Sequence, residues 1–262
     1  MMSHLLPTVV LICFQSFLPF FADVPDRMES HLIKGDAYYR SFDNANALLE
    51  YHKAFALAPD SFSTLLRMAR TYNDMGRLKL GVDSSSQTFY QKAVEYAETM
   101  TRLYPNRPES HFWLALGKGS LIRFVGVGDK IRIGKEVQEE ARKAIELDST
   151  FSHAYIILAI FQREGAKLSW IEKTIVRIVF GHPIDGSLED SERFLQLALT
   201  YDRKNSYAFY EMYWTYSAMG QSDKALDALR SLCEIPPTNA REQQQRDEAL
   251  DILRNHASFR SE

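Results

Sequence analysis

Five times along this chain a helix-forming stretch closes on the same four positions. A small or apolar residue is followed by an apolar one at +4, a small or apolar one at +7, and a helix stop at +12. The instances are Ala47/Tyr51/Ala54/Pro59, Ala93/Ala97/Met100/Pro105, Val137/Ala141/Ala144/Ser149, Ser191/Leu195/Ala198/Arg203 and Ala225/Leu229/Leu232/Pro237. Spacings of four and three put the first three residues on one helical stripe, and a proline at +12 cannot continue a helix. A stripe that returns together with its stop marks helix pairs stacked in series, because one pair cannot bury its apolar face alone. The pattern predicts an all-α chain that acts as a platform rather than a reaction vessel.

The repeat length fits the tetratricopeptide type, about 34 residues in two antiparallel helices. In that register a small residue in the first helix precedes the second-helix Ala by 12 positions. Gly35 and Tyr38 stand before Ala47, and Tyr213, Tyr216 and Gly220 before Ala225, so the first and fifth repeats are uninterrupted. The middle three are stretched: Ala69 to Ala93 is 24 residues, Ala115 to Val137 is 22 and Ala159 to Ser191 is 32. All three insertions fall between the two helices of a repeat and should project from one edge of the stack. The first, Gly81-Val82-Asp83-Ser84-Ser85-Ser86, reads as a loop with a helix extension. The expected fold is a right-handed α-solenoid of about five such pairs over 28–258, with repeats at about 28–61, 62–107, 108–151, 152–205 and 206–239. Residues 240–258, with Ala249, Ile252 and Leu253 as inner stripe, read as the capping helix an open solenoid end requires. Ile131-Arg132-Ile133 is the single strand-like alternation.

Leu5 to Ala22 carries no charge, and Val9-Val10-Leu11-Ile12 leads into Phe14, Phe17, Phe20 and Phe21. Residues 1–22 therefore read as a secretory signal or a short membrane anchor, which would make the protein exported or membrane-attached. The fit is imperfect: no Lys or Arg precedes the run, Phe20 is bulky for a cleavage site at Ala22, and Pro7 and Pro19 weaken a spanning helix. A buried apolar starting helix in a cytoplasmic protein is the alternative. Cys13 lies in this leader and Cys233 in the last repeat, so they make no disulfide framework.

The fourth repeat carries a sharper signature. Lys167-Leu168-Ser169-Trp170-Ile171-Glu172-Lys173, then Phe180-Gly181 and Pro183, closely resembles the regulator of microtubule dynamics family. Leu66-Arg67-Met68-Ala69-Arg70-Thr71-Tyr72-Asn73-Asp74-Met75 is similar to that family's second-repeat helix. Gly134-Lys135-Glu136 leading to Ala144-Ile145-Glu146-Leu147, and the ending Ile235-Pro236-Pro237-Thr238, follow in the same order. The resemblance covers about 28–255. It implies a tetratricopeptide-like helical domain, often behind an N-terminal membrane segment, and for eukaryotic members a link to microtubules, spindle poles and organelle contacts.

Catalytic chemistry finds little support. The seven histidines, His4, His31, His52, His111, His153, His182 and His256, form no i,i+4 pair, and no cysteine pair has zinc spacing. Gly126-Val127-Gly128-Asp129-Lys130-Ile131 lacks the third glycine of a dinucleotide loop. Gly128 to Gly134-Lys135 is one residue too long for a P-loop, and Glu136 stands where Ser or Thr would hold magnesium. Gly117-Lys118-Gly119-Ser120-Leu121 is not a nucleophile elbow. No cofactor or metal is called for, and a net charge of -3 argues against nucleic-acid coating.

Binding surface is the stronger signal. Positions 5 and 9 of each first helix should face the concave groove: Leu66 and Arg70, Phe112 and Leu116, Ile156 and Ile160, Tyr210 and Trp214, with Leu32 and Asp36 in the first repeat. The middle of the groove is thus apolar and aromatic, suited to a hydrophobic peptide, an amphipathic helix or a lipid chain. The insertion helices folding over and filling it is the other expectation. Lys118, Arg123, Lys130, Arg132 and Lys135 against Asp129 give residues 116–135 a local +4; Lys173 and Arg177 help give 163–182 a +2. Interleaved with Phe124, Val125, Ile171 and Ile175, these cations suit a lipid headgroup layer or an acidic tail, or else snorkel beside a docked lid. Trp170 is expected to pack in the core.

Overall fold

The computed structural model describes residues 18–80, 85–180 and 186–259, and all regular structure among them is helical. Twelve α-helices follow in order: α1 (Leu18–Arg40), α2 (Asn44–Leu57), α3 (Phe62–Lys79), α4 (Ser86–Leu103), α5 (Pro108–Leu121), α6 (Val127–Leu147), α7 (Ser152–Ala166), α8 (Trp170–Phe180), α9 (Leu188–Tyr201), α10 (Ser206–Ala218), α11 (Ser222–Cys233) and α12 (Ala240–Phe259). A short 3₁₀ turn, Ile122–Phe124, lies between α5 and α6. The pairs are α1/α2, α3/α4, α5/α6, α7/α9 and α10/α11, each resting on the next. This is an α-solenoid. Residues 1–17 of the proposed leader lie outside the described residues, and α1 begins at Leu18. No helix among the described residues is long and apolar enough to cross a membrane.

The recurring stripe is the contact surface of the stack. All fifteen of its positions are buried, with Val137 the most exposed at 6%. Nine of the fifteen are alanine or serine, so neighbouring helices approach closely and the larger members, Tyr51, Met100, Leu195 and Leu229, fill the gaps between layers. Each such large side chain contributes about 1.5–3 kcal/mol on leaving water.

The uninterrupted repeats need tight turns, and both are built the same way. After α10, Gly220 takes φ 72°, Gln221 N–H donates to the Tyr216 carbonyl at 2.9 Å, and Gly220 N–H donates to Ser217. After α1, Phe42 takes φ 67°, Asp43 N–H donates to Tyr38 at 2.9 Å, and Phe42 N–H donates to Tyr39. This pairing satisfies the last helical carbonyls through one left-handed residue.

The stretched repeats solve the same connection with helix. The first insertion lengthens α3 and α4 to 18 residues each. The second becomes the 3₁₀ turn and the early turns of α6, so Ile131-Arg132-Ile133 is helical, not extended. The third forms α8. Its N-terminus is fixed by a reciprocal cap: Ser169 N–H and Oγ donate to Glu172 Oε2 at 2.8 and 2.7 Å, and Glu172 N–H donates back to Ser169 Oγ. The Ser-Trp-Ile-Glu string is thus the start signal of this helix. Trp170 is not core: it is 76% exposed, because the inward side of α8 is taken by Val176, 1% exposed.

Close approach is acute at Gly35, where an added Cβ would lie 2.3 Å from the Tyr51 ring, itself fully buried. Gly35→Ala is expected to cost about 1–3 kcal/mol through overpacking. Urea unfolding should show a lower midpoint with an unchanged slope.

Candidate binding chamber

The concave side of the solenoid is occupied. The cap helix α12 packs on α11 as a terminal cap should, but it also reaches back across the groove to α3. Arg77 of α3 donates to Glu248 of α12 at 3.3 Å, and Tyr210 Oη of α10 donates to the same carboxylate at 2.6 Å. Burial and the Glu248 charge push the Tyr210 phenol up to about 12.

Deeper in, Arg241 of α12 approaches Asp74 of α3 at 3.7 Å, and Tyr39 Oη donates to Asp74 at 2.6 Å. The Arg241 guanidinium lies 4.3 Å from the centre of the Tyr207 ring, and that of Arg70 lies 3.8 Å from the Tyr39 ring. Burial raises the Asp74 carboxyl above its ordinary range, though Arg241 and the Tyr39 hydroxyl pull the other way. Burial likewise raises Tyr39. Burial works against the Arg241 charge too, but Tyr207 and Asp74 prevail and hold it above the usual arginine value. The first, second and last structural units are thereby tied through one buried ionic cluster.

With α12 across it, the groove divides into two cavities that share Leu116, Tyr207, Arg241 and Gln245. The smaller, about 280 Å³, is walled by rings: Tyr39, Phe112, Trp113, Phe151, His153 and Tyr207. Burial lowers the His153 pKa, which favours the neutral ring. The larger, about 840 Å³, lies on the side of the three insertions. Its apolar wall includes Leu80, Leu116, Ile131, Ile157, Ile160, Phe161, Leu168, Val176 and Trp214. Val176 and Glu172 bring α8 to its wall, and Ile122, Arg123 and Lys130 bring the second insertion. Six basic side chains against three acidic ones line it: Arg77, Arg123, Lys130, Arg163, Lys167 and Arg241 against Glu164, Glu172 and Glu211. Arg163 is neutralised in a buried pair with Glu211 at 2.8 Å, and Lys167 by Glu164 at 2.9 Å. Gln245, 1% exposed, has both amide atoms without a partner at the junction of the two cavities.

The residues read from sequence as groove-facing are partly reunited here. Leu116, Ile160, Tyr210 and Trp214 line the larger cavity; Arg70, Phe112 and Leu116 line the smaller. Ile156 is fully buried in the contact between α7 and its neighbours and lines neither, and half-buried Leu66 lines neither. Leu32 is core, and Asp36 is engaged by Arg67 at 2.8 and 2.7 Å and by Tyr51 at 2.7 Å. On α3 and α7 the inward stripe runs later than positions 5 and 9: Asn73 and Arg77 follow Arg70 by three and seven, and Arg163 follows Ile160 by three. Carrying that spacing forward would have found them; nothing local to the tail marks Arg241 and Gln245.

The basic insertion surface is also reshaped. Lys118 pairs with Glu136 at 2.8 Å, Arg132 with Asp129 and Glu136 at 3.1 and 2.8 Å, and Lys135 with Glu139 at 3.8 Å. The acids that balance the local +4 begin at Glu136, one residue beyond the counted stretch. Arg123 and Lys130 border the chamber; Lys173 and Arg177 remain on α8. No group of three or more potential metal ligands comes together among the described residues.

Residues 32–257 match the family model described as Regulator of microtubule dynamics protein 1-3. The chain belongs to that family. Regulator of microtubule dynamics protein 3 of Rattus norvegicus is 28% identical over 127 residues, 48% of this chain and 27% of the relative. Protein 2 of Bos taurus is 25% identical over 196 residues, 71% of this chain and 45% of the relative. Protein 1 of Mus musculus is 21% identical over 175 residues, covering 66% and 56%. The chain therefore spans about a quarter to just over half of these relatives. Among solved structures, the tetratricopeptide protein TTC0263 of Thermus thermophilus superposes with TM-score 0.61 at 17% identity, covering 85% of this chain and 98% of that one. That likeness concerns the fold alone.

The cluster at the centre makes a stability prediction. Arg241→Met should cost about 3 kcal/mol, because it strands a buried carboxylate. The double variant Arg241→Met/Asp74→Asn should recover more than half of that in urea unfolding, the signature of a coupled pair.

Proposed function

We propose that this member of the family is a non-catalytic binding module whose interior chamber holds a small amphipathic molecule. The observation that carries this is the crossing of the groove by α12, beside a cavity of about 840 Å³ to whose wall α8 adds Glu172 and Val176. A peptide clamped in extended form needs a continuous channel. A chamber of this size, with mainly apolar walls and a few convergent polar groups, suits a small ligand. The apolar wall at Leu116, Ile160, Phe161 and Val176 would take a hydrocarbon part. Arg123 and Lys130 on its wall, with the unpartnered Gln245 amide, would take an anionic or strongly polar head. Protein partners, the other occupants a tetratricopeptide-like scaffold serves, are left the outer surfaces.

The relatives' names supply a second reading, regulation of microtubule dynamics. The surface available for it here is the exposed set of cations on the second insertion and α8, Arg123, Lys130 and Arg177. Pelleting with polymerised tubulin, lost on Lys130→Glu/Arg177→Glu, would support it; absence of pelleting would remove it.

For the chamber, native mass spectrometry of the full chain should show a co-purified ligand, and a pyrene-labelled fatty acid should bind. Leu116→Trp with Ile160→Trp should weaken that binding about tenfold or more, a loss of about 1.4 kcal/mol, by filling the space. A clean unliganded mass over several preparations, with no probe uptake by a folded protein, would count against the chamber.

A further inference from the structure

The outer side of α8 is not used by the chamber. Trp170 and Ile178 are 76% and 77% exposed and Ile171 is 53% exposed. Trp170, Thr174 and Ile178 stand at i, i+4 and i+8, a single line along the helix, and Ile171, seven before Ile178, lies beside it. The Thr174 hydroxyl within this line donates to the Trp170 carbonyl at 2.8 Å, so the ridge carries no charge and its one hydroxyl is already engaged. The opposite side holds Val176 and Glu172 against the chamber.

Charge is arranged around the ridge, not on it. Lys173 and Arg177, three and seven residues after Trp170, flank it on α8. The second insertion, whose Lys130 lies near enough to Glu172 to stabilise its carboxylate, adds exposed Arg123 and Lys130 and a further exposed apolar side chain, Val127 at 55%. Glu172, the acid of α8, is held in its cap by Ser169. A short helix with an aromatic and aliphatic ridge and a cationic border is the arrangement that lies in a bilayer interface. Its apolar side enters below the headgroups, its indole sits at their level, and its cations meet anionic lipid. A contiguous exposed ridge of this kind is otherwise a liability in water.

We infer that the Trp170–Ile171–Ile178 ridge of α8, with Lys173, Arg177, Arg123 and Lys130 around it, docks this protein on an anionic lipid bilayer. The inference concerns the outer face of the helix and stands apart from what the chamber holds.

The test is flotation of the full chain with phosphatidylcholine vesicles containing phosphatidylserine. The protein should float with these vesicles, less as salt is raised. Trp170→Ser/Ile178→Ser, two exposed positions whose fold is checked by circular dichroism, should lower the bound fraction about tenfold or more. Brominated lipid should quench tryptophan emission in the parent, and Trp170→Phe should lose that quenchable component, which ties contact to this helix whatever the leader does. Equal flotation of parent and double variant, no flotation at all, or quenching unaltered by Trp170→Phe would overturn the inference. A lipid-free dimer broken by the same substitutions would overturn it as well, by giving the ridge to a second copy. Probe uptake measured without vesicles reports the chamber separately, so either reading can fail alone.

Discussion

Stacking of small-residue stripes is the constraint on which everything else in this molecule rests. A helix pair such as α1/α2 leaves an apolar face that water penalises, and the next pair is the nearest surface able to cover it. Ala47, Ala54, Ala93, Ala97, Ala141, Ala144, Ala198 and Ala225 keep the helix axes close, and Tyr51, Met100, Leu195 and Leu229 fill what remains. Order in sequence becomes order in space, and the first helices of successive pairs are brought to a common concave side. Insertions are tolerated because they occur where the stripe is not, between the two helices of a repeat.

Curvature then creates a second problem, which the cap solves in an unusual place. A concave wall bearing Tyr39, Asp74 and Arg77 cannot be left both apolar-walled and ionic in the interior without partners. Helix α12 supplies them from the far end of the chain: Arg241 to Asp74 and Tyr207, Glu248 to Arg77 and Tyr210. The same helix that ends the stack therefore subdivides the groove, and Glu172 and Val176 of α8 join the wall of the larger part.

Much of this was legible residue by residue. The stripe positions, the helical class and the cap helix with Ala249 inward follow from spacing, because a 3.6-residue period and a proline stop are local properties. The Ser169–Glu172 string marked both a family likeness and, physically, a helix start. What misled was also local. Counting charge up to Lys135 left out Glu136 and Glu139, which neutralise Lys118, Arg132 and Lys135 one turn later. Trp170, expected in the core, is exposed, and Val176 is the buried side chain of α8. Ile156 and Ile160 are neighbours on one helix, yet one faces the next pair and the other the chamber.

The chain by itself determined that it would be helical, serial and capped, since each of those depends on residues within a few turns of one another. Only the tertiary structure decided that α12 lies across the groove. Contacts such as Arg77 to Glu248 join residues far apart in sequence, and they form only once the accumulated rotation of five pairs has turned the last unit back toward the second. No local pattern encodes that distance, and the chamber exists because of it.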